Sequence, residues 1–239
     1  MRKLGVIGGL GPMATAYYLQ LVIQMTDARC DQEHIDMIIY NRPGIPDRTK
    51  YILGLSDMNP TIPIIETGKV LVEQGVECIA IPCITAHYFH NQLEAAIGRP
   101  IIHLIKETVS HLRIYGVETV GIMATDGTIA SCLFQRELEL QGLKTVVPTA
   151  VNQKRVMHLI YENVKAGHPI EMRLFFEVVG QLRNSGAQVI VLGCTELSLI
   201  KQTYDMGPGF LDAMEVLAMQ SIRCCEAPLK QEYHCLITR

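Results

Sequence analysis

Leu71, Gly75, Ile79 and Cys83 follow one another at intervals of four, and Leu182, Gly186, Ile190 and Cys194 do the same. Each matched pair is 111 positions apart (83 and 194, 75 and 186). A second match links Gly5-Val6-Ile7 to Gly121-Ile122-Met123 at an offset of 116, and one loop of different length would absorb the difference. A chain with this repeat is constrained to two similar halves. In each half a helix ends at a glycine, the residue favoured just past a helix C-terminus, and a strand follows that delivers a cysteine.

The segments between these landmarks agree. Short apolar runs at Leu4 to Ile7, Met37 to Tyr40, Cys78 to Ile81, Val120 to Ala124, Thr145 to Val147 and Val189 to Leu192 lack clean alternation. Strands covered on both faces read this way. Amphipathic stretches near 14–26, 62–74, 86–96, 103–114, 130–141, 152–166, 170–184 and 212–225 read as helices. The pattern predicts an α/β fold of two similar domains, each a small, mostly parallel sheet flanked by helices. A pseudo-two-fold relation would place the active site between them. Residues 1–104 with 211–239 form the expected first domain, carrying Cys83, and 105–210 the second, carrying Cys194. The tail from Ala227 shows little periodicity and is expected to be loose.

Composition narrows the function classes. A net charge of -3 gives no basic footprint for nucleic acid. No apolar run approaches the roughly 18–20 residues needed to cross a bilayer. The apolar run after Met1-Arg2-Lys3 breaks at Gly8-Gly9, too early for a signal peptide, so a cytoplasmic place is expected. The eight cysteines include no C-x-x-C pair, which argues against a zinc knuckle or a thioredoxin-type motif.

Position singles out two of the eight. Ligands of open α/β sheets bind outside the carboxyl ends of the strands, where Pro82-Cys83-Ile84-Thr85-Ala86-His87 and Gly193-Cys194-Thr195-Glu196 stand. Thr85 and Thr195 are placed to cap the helices that follow. A thiol near a helix N-terminus is expected to titrate closer to neutrality, which suits a group that must both take and give a proton. Two such groups on opposite faces of a carbon can remove its proton from one side and return it on the other. The bland alternative is that both are small core residues.

Several motifs, in order, resemble the aspartate/glutamate racemase superfamily, and its aspartate racemase branch in particular. They are Gly8-Gly9-Leu10-Gly11-Pro12-Met13-Ala14-Thr15, Ile45-Pro46-Asp47-Arg48-Thr49, Pro82 to His87, Ala124-Thr125-Asp126-Gly127-Thr128, Val164-Lys165-Ala166-Gly167 and Gly193 to Glu196. The resemblance implies a homodimeric enzyme that racemises a small acidic amino acid without pyridoxal phosphate or metal, with Cys83 and Cys194 as its two bases. It implies that Arg48 and Lys165 hold the distal carboxylate, and that Thr85, Thr125, Thr128 and Thr195 bind the amino-acid head. On the residues alone, Arg48 reads rather as a loop charge and Lys165 as a helix C-terminal cation. Glu196 reads either as a partner of the Cys194 thiol or substrate ammonium, or as a helix cap. The sequence departs from the family at Cys83-Ile84-Thr85, where the family carries Cys-Asn-Thr. Ile can neither donate nor accept the hydrogen bonds of an amide.

Other readings remain. Relatives in the superfamily isomerise or decarboxylate other carboxylates, and a non-catalytic binder of acidic metabolites is compatible with Ile84. Gly9-x-Gly11-x-x-Ala14 loosely resembles a dinucleotide fingerprint, although Pro12 and the missing acid at Tyr40-Asn41 weaken it. Cys83 with His87 would suit a cysteine hydrolase, which would not need Cys194.

Overall fold

The computed structural model describes residues 1–239. Strands β1 (Leu4–Gly8), β2 (Met37–Asn41) and β3 (Cys78–Ala80) form one parallel sheet in the order β2-β1-β3. Strands β4 (Thr119–Ala124), β5 (Lys144–Val146), β6 (Val189–Gly193) and β7 (Phe210–Asp212) form a second, in the order β5-β4-β6-β7. The helices are α1 (Pro12–Met25), α2 (Arg48–Ile52), α3 (Thr61–Glu73), α4 (His90–Ile97), α5 (Leu104–Ile114) and α6 (Asp126–Ala130), then α7 (Leu133–Leu140), α8 (Ala150–His158), α9 (Met172–Asn184), α10 (Thr195–Thr203) and α11 (Ala213–Cys224). A 3₁₀ segment, Ile84–Phe89, leads into α4, and a π-helical segment, Leu159–Lys165, continues α8.

The internal repeat has a physical basis at each matched position. In both sheets the first strand is central, with the second and third on either side. After α3 and after α9 a glycine takes the left-handed conformation, Gly75 at φ +80 and Gly186 at φ +97. The next amide turns back, Val76 N–H to the Leu71 carbonyl at 3.4 Å and Ala187 N–H to the Leu182 carbonyl at 3.1 Å, which closes each helix end. Val76 and Ala187 then press on the central strands where those are glycine. A Cβ on Gly5 would lie 2.9 Å from Val76 Cγ2, and one on Gly121 would lie 3.1 Å from Ala187 Cβ. The two sequence offsets thus describe one packing contact made twice.

Every residue of β1 and β6 is buried, and successive side chains feed different cores. Leu4, Val6, Val120, Ile122, Val189 and Val191 enter a shared core of 33 buried residues with α1, α5 and α11. Ile7 and Ile79 enter the core under α3 and α4, while Ile190 and Leu192 enter the one under α8 and α9. The shared core joins the two sheets.

Several expected boundaries shift. The helix expected over 130–141 is α7 and starts at Leu133, after Cys132 takes φ +55, while a separate short α6 precedes it. The one expected over 152–166 changes to π geometry at Leu159. Strand β7 and helix α2 carried no signal of their own. β7 pairs with β6, so the second sheet extends through Asp212, past the expected boundary at 210/211. The tail is anchored rather than loose. Thr26 and Leu229, and Leu211 and Ile237, form antiparallel bridges, Leu236 is buried, and the Leu236 N–H donates to His111 at 3.2 Å.

Candidate active site

Cys194 directly follows β6, and Cys83 stands three residues past β3. Both have extended backbones, at φ -148 and -159, and each is the N-cap residue of the helical segment after it. Both side chains are buried, and both line one narrow cavity between the carboxyl ends of the two sheets. Arg48, Thr85, Thr125, Lys165, Thr195 and Glu196 line it too. Of the catalytic and substrate-binding residues the racemase resemblance implies, Thr128 alone does not line the cavity. Its hydroxyl closes a triangle with those of Thr85 and Thr125, all three O···O distances being 3.1 Å. The triangle ties the first half to the second beside the cavity.

The threonines differ from expectation in one respect. Thr85 and Thr195 do not cap their helices. The Thr195 hydroxyl donates to Glu196 Oε2 at 3.2 Å. Thr125 does cap α6, accepting from the Thr128 amide.

The two thiols have different neighbours. Cys194 Sγ–H donates to Glu196 Oε2 at 2.9 Å. Burial, reinforced by the Glu196 carboxylate, pushes this thiol well above its ordinary pKa, against the pull of Lys165. The expected shift toward neutrality is therefore reversed at Cys194, because desolvation and a carboxylate outweigh a helix terminus. Cys83 has Arg48 as its neighbour. Burial works against the Arg48 charge, but Cys83, then Asp47 and Glu196, hold the guanidinium above its ordinary value.

Arg48 is itself unusual. It is buried, and its guanidinium donates to the carbonyls of Leu10 at 2.8 Å, Pro46 at 3.0 Å and Ile45 at 3.4 Å. Its Nε has no partner, and no carboxylate lies within ion-pair range. The other charges are engaged. Glu196 faces Lys165 Nζ at 3.7 Å, and Asp47 accepts from the Lys50 amide and from Tyr161 Oη at 3.0 Å. The carboxylate charges that hold Arg48 in its cationic form therefore act from beyond ion-pair range, and an anion entering the cavity would add a direct partner.

Sequence reasoning did not single out Leu10, Asp47, Thr49 or Tyr161 as site residues, yet all line the cavity. Leu10, Asp47 and Thr49 lie inside the quoted motifs. Tyr161 owes its place to the π segment, which brings it beneath Lys165, with Nζ 4.4 Å from the ring centroid. Short π stretches recur at functional sites, and no residue pattern here announced one.

Two alternatives lose their footing. Gly9, at φ +91, has no room for a Cβ, which would lie 2.4 Å from the Arg42 backbone, and Gly8 has none either, since a Cβ there would meet Thr15 Cγ2 at 2.5 Å. Packing accounts for this loop without a dinucleotide. His87 does not face the cavity, and its Nε2 lies 3.3 Å from the Ile81 carbonyl instead. No Cys83–His87 dyad forms.

Residues 7–220 match the family model described as Asp/Glu/Hydantoin racemase. The chain belongs to this family. Membership makes it an isomerase of the racemase type, in line with the resemblance read from the sequence motifs. The broad specificity amino-acid racemase RacX of Bacillus subtilis (strain 168) is 24% identical over 223 residues, covering 92% of this chain and 96% of that one. The aspartate racemase of Picrophilus torridus has the same fold, with a TM-score of 0.86 at 29% identity over 99% of each chain. A glutamate racemase from Francisella tularensis subsp. tularensis SCHU S4, solved in complex with D-glutamate, aligns with a TM-score of 0.66 at 20% identity. That alignment covers 93% of this chain and 80% of that one, and speaks for the fold alone. No helix is long and apolar enough to cross a membrane.

Proposed function

We propose that the protein racemises an acidic amino acid, aspartate or glutamate, by passing the α-proton between Cys83 and Cys194 without a cofactor. The observation that carries this reading is the pair of thiols, delivered by equivalent strands of the two halves into one cavity and differently charged around. Cys83, beside the Arg48 cation, takes the α-proton as thiolate. Cys194, whose hydrogen now rests on Glu196, delivers its proton to the opposite face of the carbon. The pair then exchanges roles for the other enantiomer. Arg48 and Lys165 offset the negative charge of the substrate carboxylates and of the enolate-like intermediate. Thr85, Thr125 and Thr195 offer hydroxyls to the amino-acid head, with Thr128 holding two of them in place. With this reading go a division into two domains with its first boundary at 104/105, a homodimer and a cytoplasmic place.

A second reading has Ile84 behind it. This buried residue contributes an apolar stretch to the cavity wall, where the family's amide would bond the substrate. A different carboxylate substrate, or binding without turnover, would suit that wall. Proton NMR of the reduced protein in heavy water with L-aspartate, then D-aspartate, tests both. Loss of the α-proton signal with decay of optical rotation, abolished in Cys83→Ala and in Cys194→Ala, is the expected result. Binding of aspartate without exchange would overturn aspartate racemisation and leave the Ile84 reading.

A further inference from the structure

Outside the cysteine cavity, the largest concentration of unused chemistry is a cluster of three histidines. His87 lies in the 3₁₀ segment, His90 opens α4, and His103 is the N-cap of α5. One ring nitrogen from each lies within 4.8 Å of the others. His87 and His90 are almost wholly buried, and His103 is half-buried.

The hydrogen bonds at the back of the rings orient this cluster. His87 Nε2 lies 3.3 Å from the Ile81 carbonyl and His90 Nε2 lies 3.0 Å from the Ile101 carbonyl. Both nitrogens therefore donate, which leaves each Nδ1 as a bare acceptor. Those two Nδ1 atoms are buried with no partner. His103 Nδ1 accepts the Lys106 amide at 3.4 Å, so its Nε2 carries the ring hydrogen, and Nδ1 becomes free for a metal when that long contact is given up. A backbone carbonyl behind an imidazole is the usual support of a metal-binding histidine, since it fixes the tautomer and aims the other lone pair. Unpartnered buried acceptors are otherwise rare in folded proteins.

We propose that His87, His90 and His103 form a binding site for a divalent transition-metal ion of imidazole preference, Zn²⁺ in the first instance. Three neutral nitrogens and one open position make a four-coordinate site. The open position faces a surface depression also lined by Ser131, Arg136 and Glu137, through which the ion enters and a water completes the shell. Zn–N bonds of 2.0–2.1 Å require nitrogens roughly 3.3–3.4 Å apart, so an ion must turn the His90 and His103 rings, whose centroids lie 4.1 Å apart, until their lone pairs meet on it. The site lies outside the racemase cavity and would clamp the segment after Cys83 to α4 and α5.

The test is titration of the reduced full-length protein with Co²⁺ and Zn²⁺, followed by visible absorption, equilibrium dialysis and thermal unfolding. Four-coordinate Co²⁺ bands without a sulfur-to-metal charge-transfer band, one competing equivalent of Zn²⁺ and a Tm rise saturating at that equivalent are expected. The charge-transfer band matters because Cys78, Cys224 and Cys225 lie close together, with Cys78 Sγ 3.9 Å from Cys225 Sγ. His103→Ala, at the half-exposed position, is expected to keep the fold and lose the bands. It should weaken Zn²⁺ by more than the roughly 10- to 100-fold that loss of an outer-shell partner costs. His90→Gln serves as a second variant. Absence of stoichiometric binding, a thiolate spectrum, or equal affinity in a folded His103→Ala would overturn the proposal.

Discussion

Replacing Arg48 by Lys tests the reasoning about the cavity most directly, because charge is kept while geometry is lost. The guanidinium spans the Leu10 carbonyl on one side and the Ile45 and Pro46 carbonyls on the other. Lysine carries a point charge on a flexible stem and can serve one side only. Hydrogen bonds to charged groups contribute about 1.5–3 kcal/mol each, and a buried carbonyl left bare adds to the loss. The expected cost is about 2–4 kcal/mol in urea unfolding, or about 5–15 °C in Tm for a chain of this size. Because the same group faces Cys83 and the cavity, kcat/KM for aspartate should fall by about 10- to 150-fold. Arg42→Lys is the control. Arg42 donates to the Pro63 carbonyl and to the exposed Glu66, and this change should cost under about 1 kcal/mol. If Arg48→Lys proves no more costly than Arg42→Lys, the two-sided cradle does not hold the loops as argued.

Glu196→Gln removes the carboxylate that, after burial, raises Cys194. The thiolate then forms at lower pH, so iodoacetamide labelling of Cys194, read by mass spectrometry, should accelerate at lower pH than in the unaltered protein; an unmoved profile would contradict this. Gly5→Ala drives a Cβ to 2.9 Å from Val76 Cγ2 and should destabilise by about 1–3 kcal/mol. Adding Val76→Ala should recover part of that loss, and simple additivity of the two costs would argue against the contact. Burial, then Asp212, pushes Glu215 from 4.5 up to about 7. The folded chain then binds this proton more tightly than the unfolded one, so its contribution is full below about pH 4.5 and is lost as the pH rises through 7. Glu215→Gln should flatten the urea midpoint over that interval, and an unchanged slope would exclude Glu215 as the source.

Much of this molecule was determined by local sequence. The six expected strands lie within a residue or two of where continuous apolar runs placed them, because a strand buried on both faces tolerates little else. The two halves were legible because Gly75 and Gly186 must adopt positive φ and because Gly5 and Gly121 must leave room for the residue that follows. Both cysteines were marked by their distance from those turns. The racemase motifs added Arg48, Lys165 and Glu196 to the same place, although not their contacts. Only the tertiary structure decided how these groups act on one another. Whether a thiol is raised or lowered depends on burial and on charges distant in sequence or rotated toward it, as Glu196 is toward Cys194. The π turn that brings Tyr161 under Lys165, the edge strand β7 and the anchoring of Leu236 all arise from long-range packing, to which local periodicity is blind. The histidine cluster belongs here too. Its members are spaced as ordinary helix-start residues, and their rings come together only because the Ile84–Phe89 segment packs against both α4 and α5.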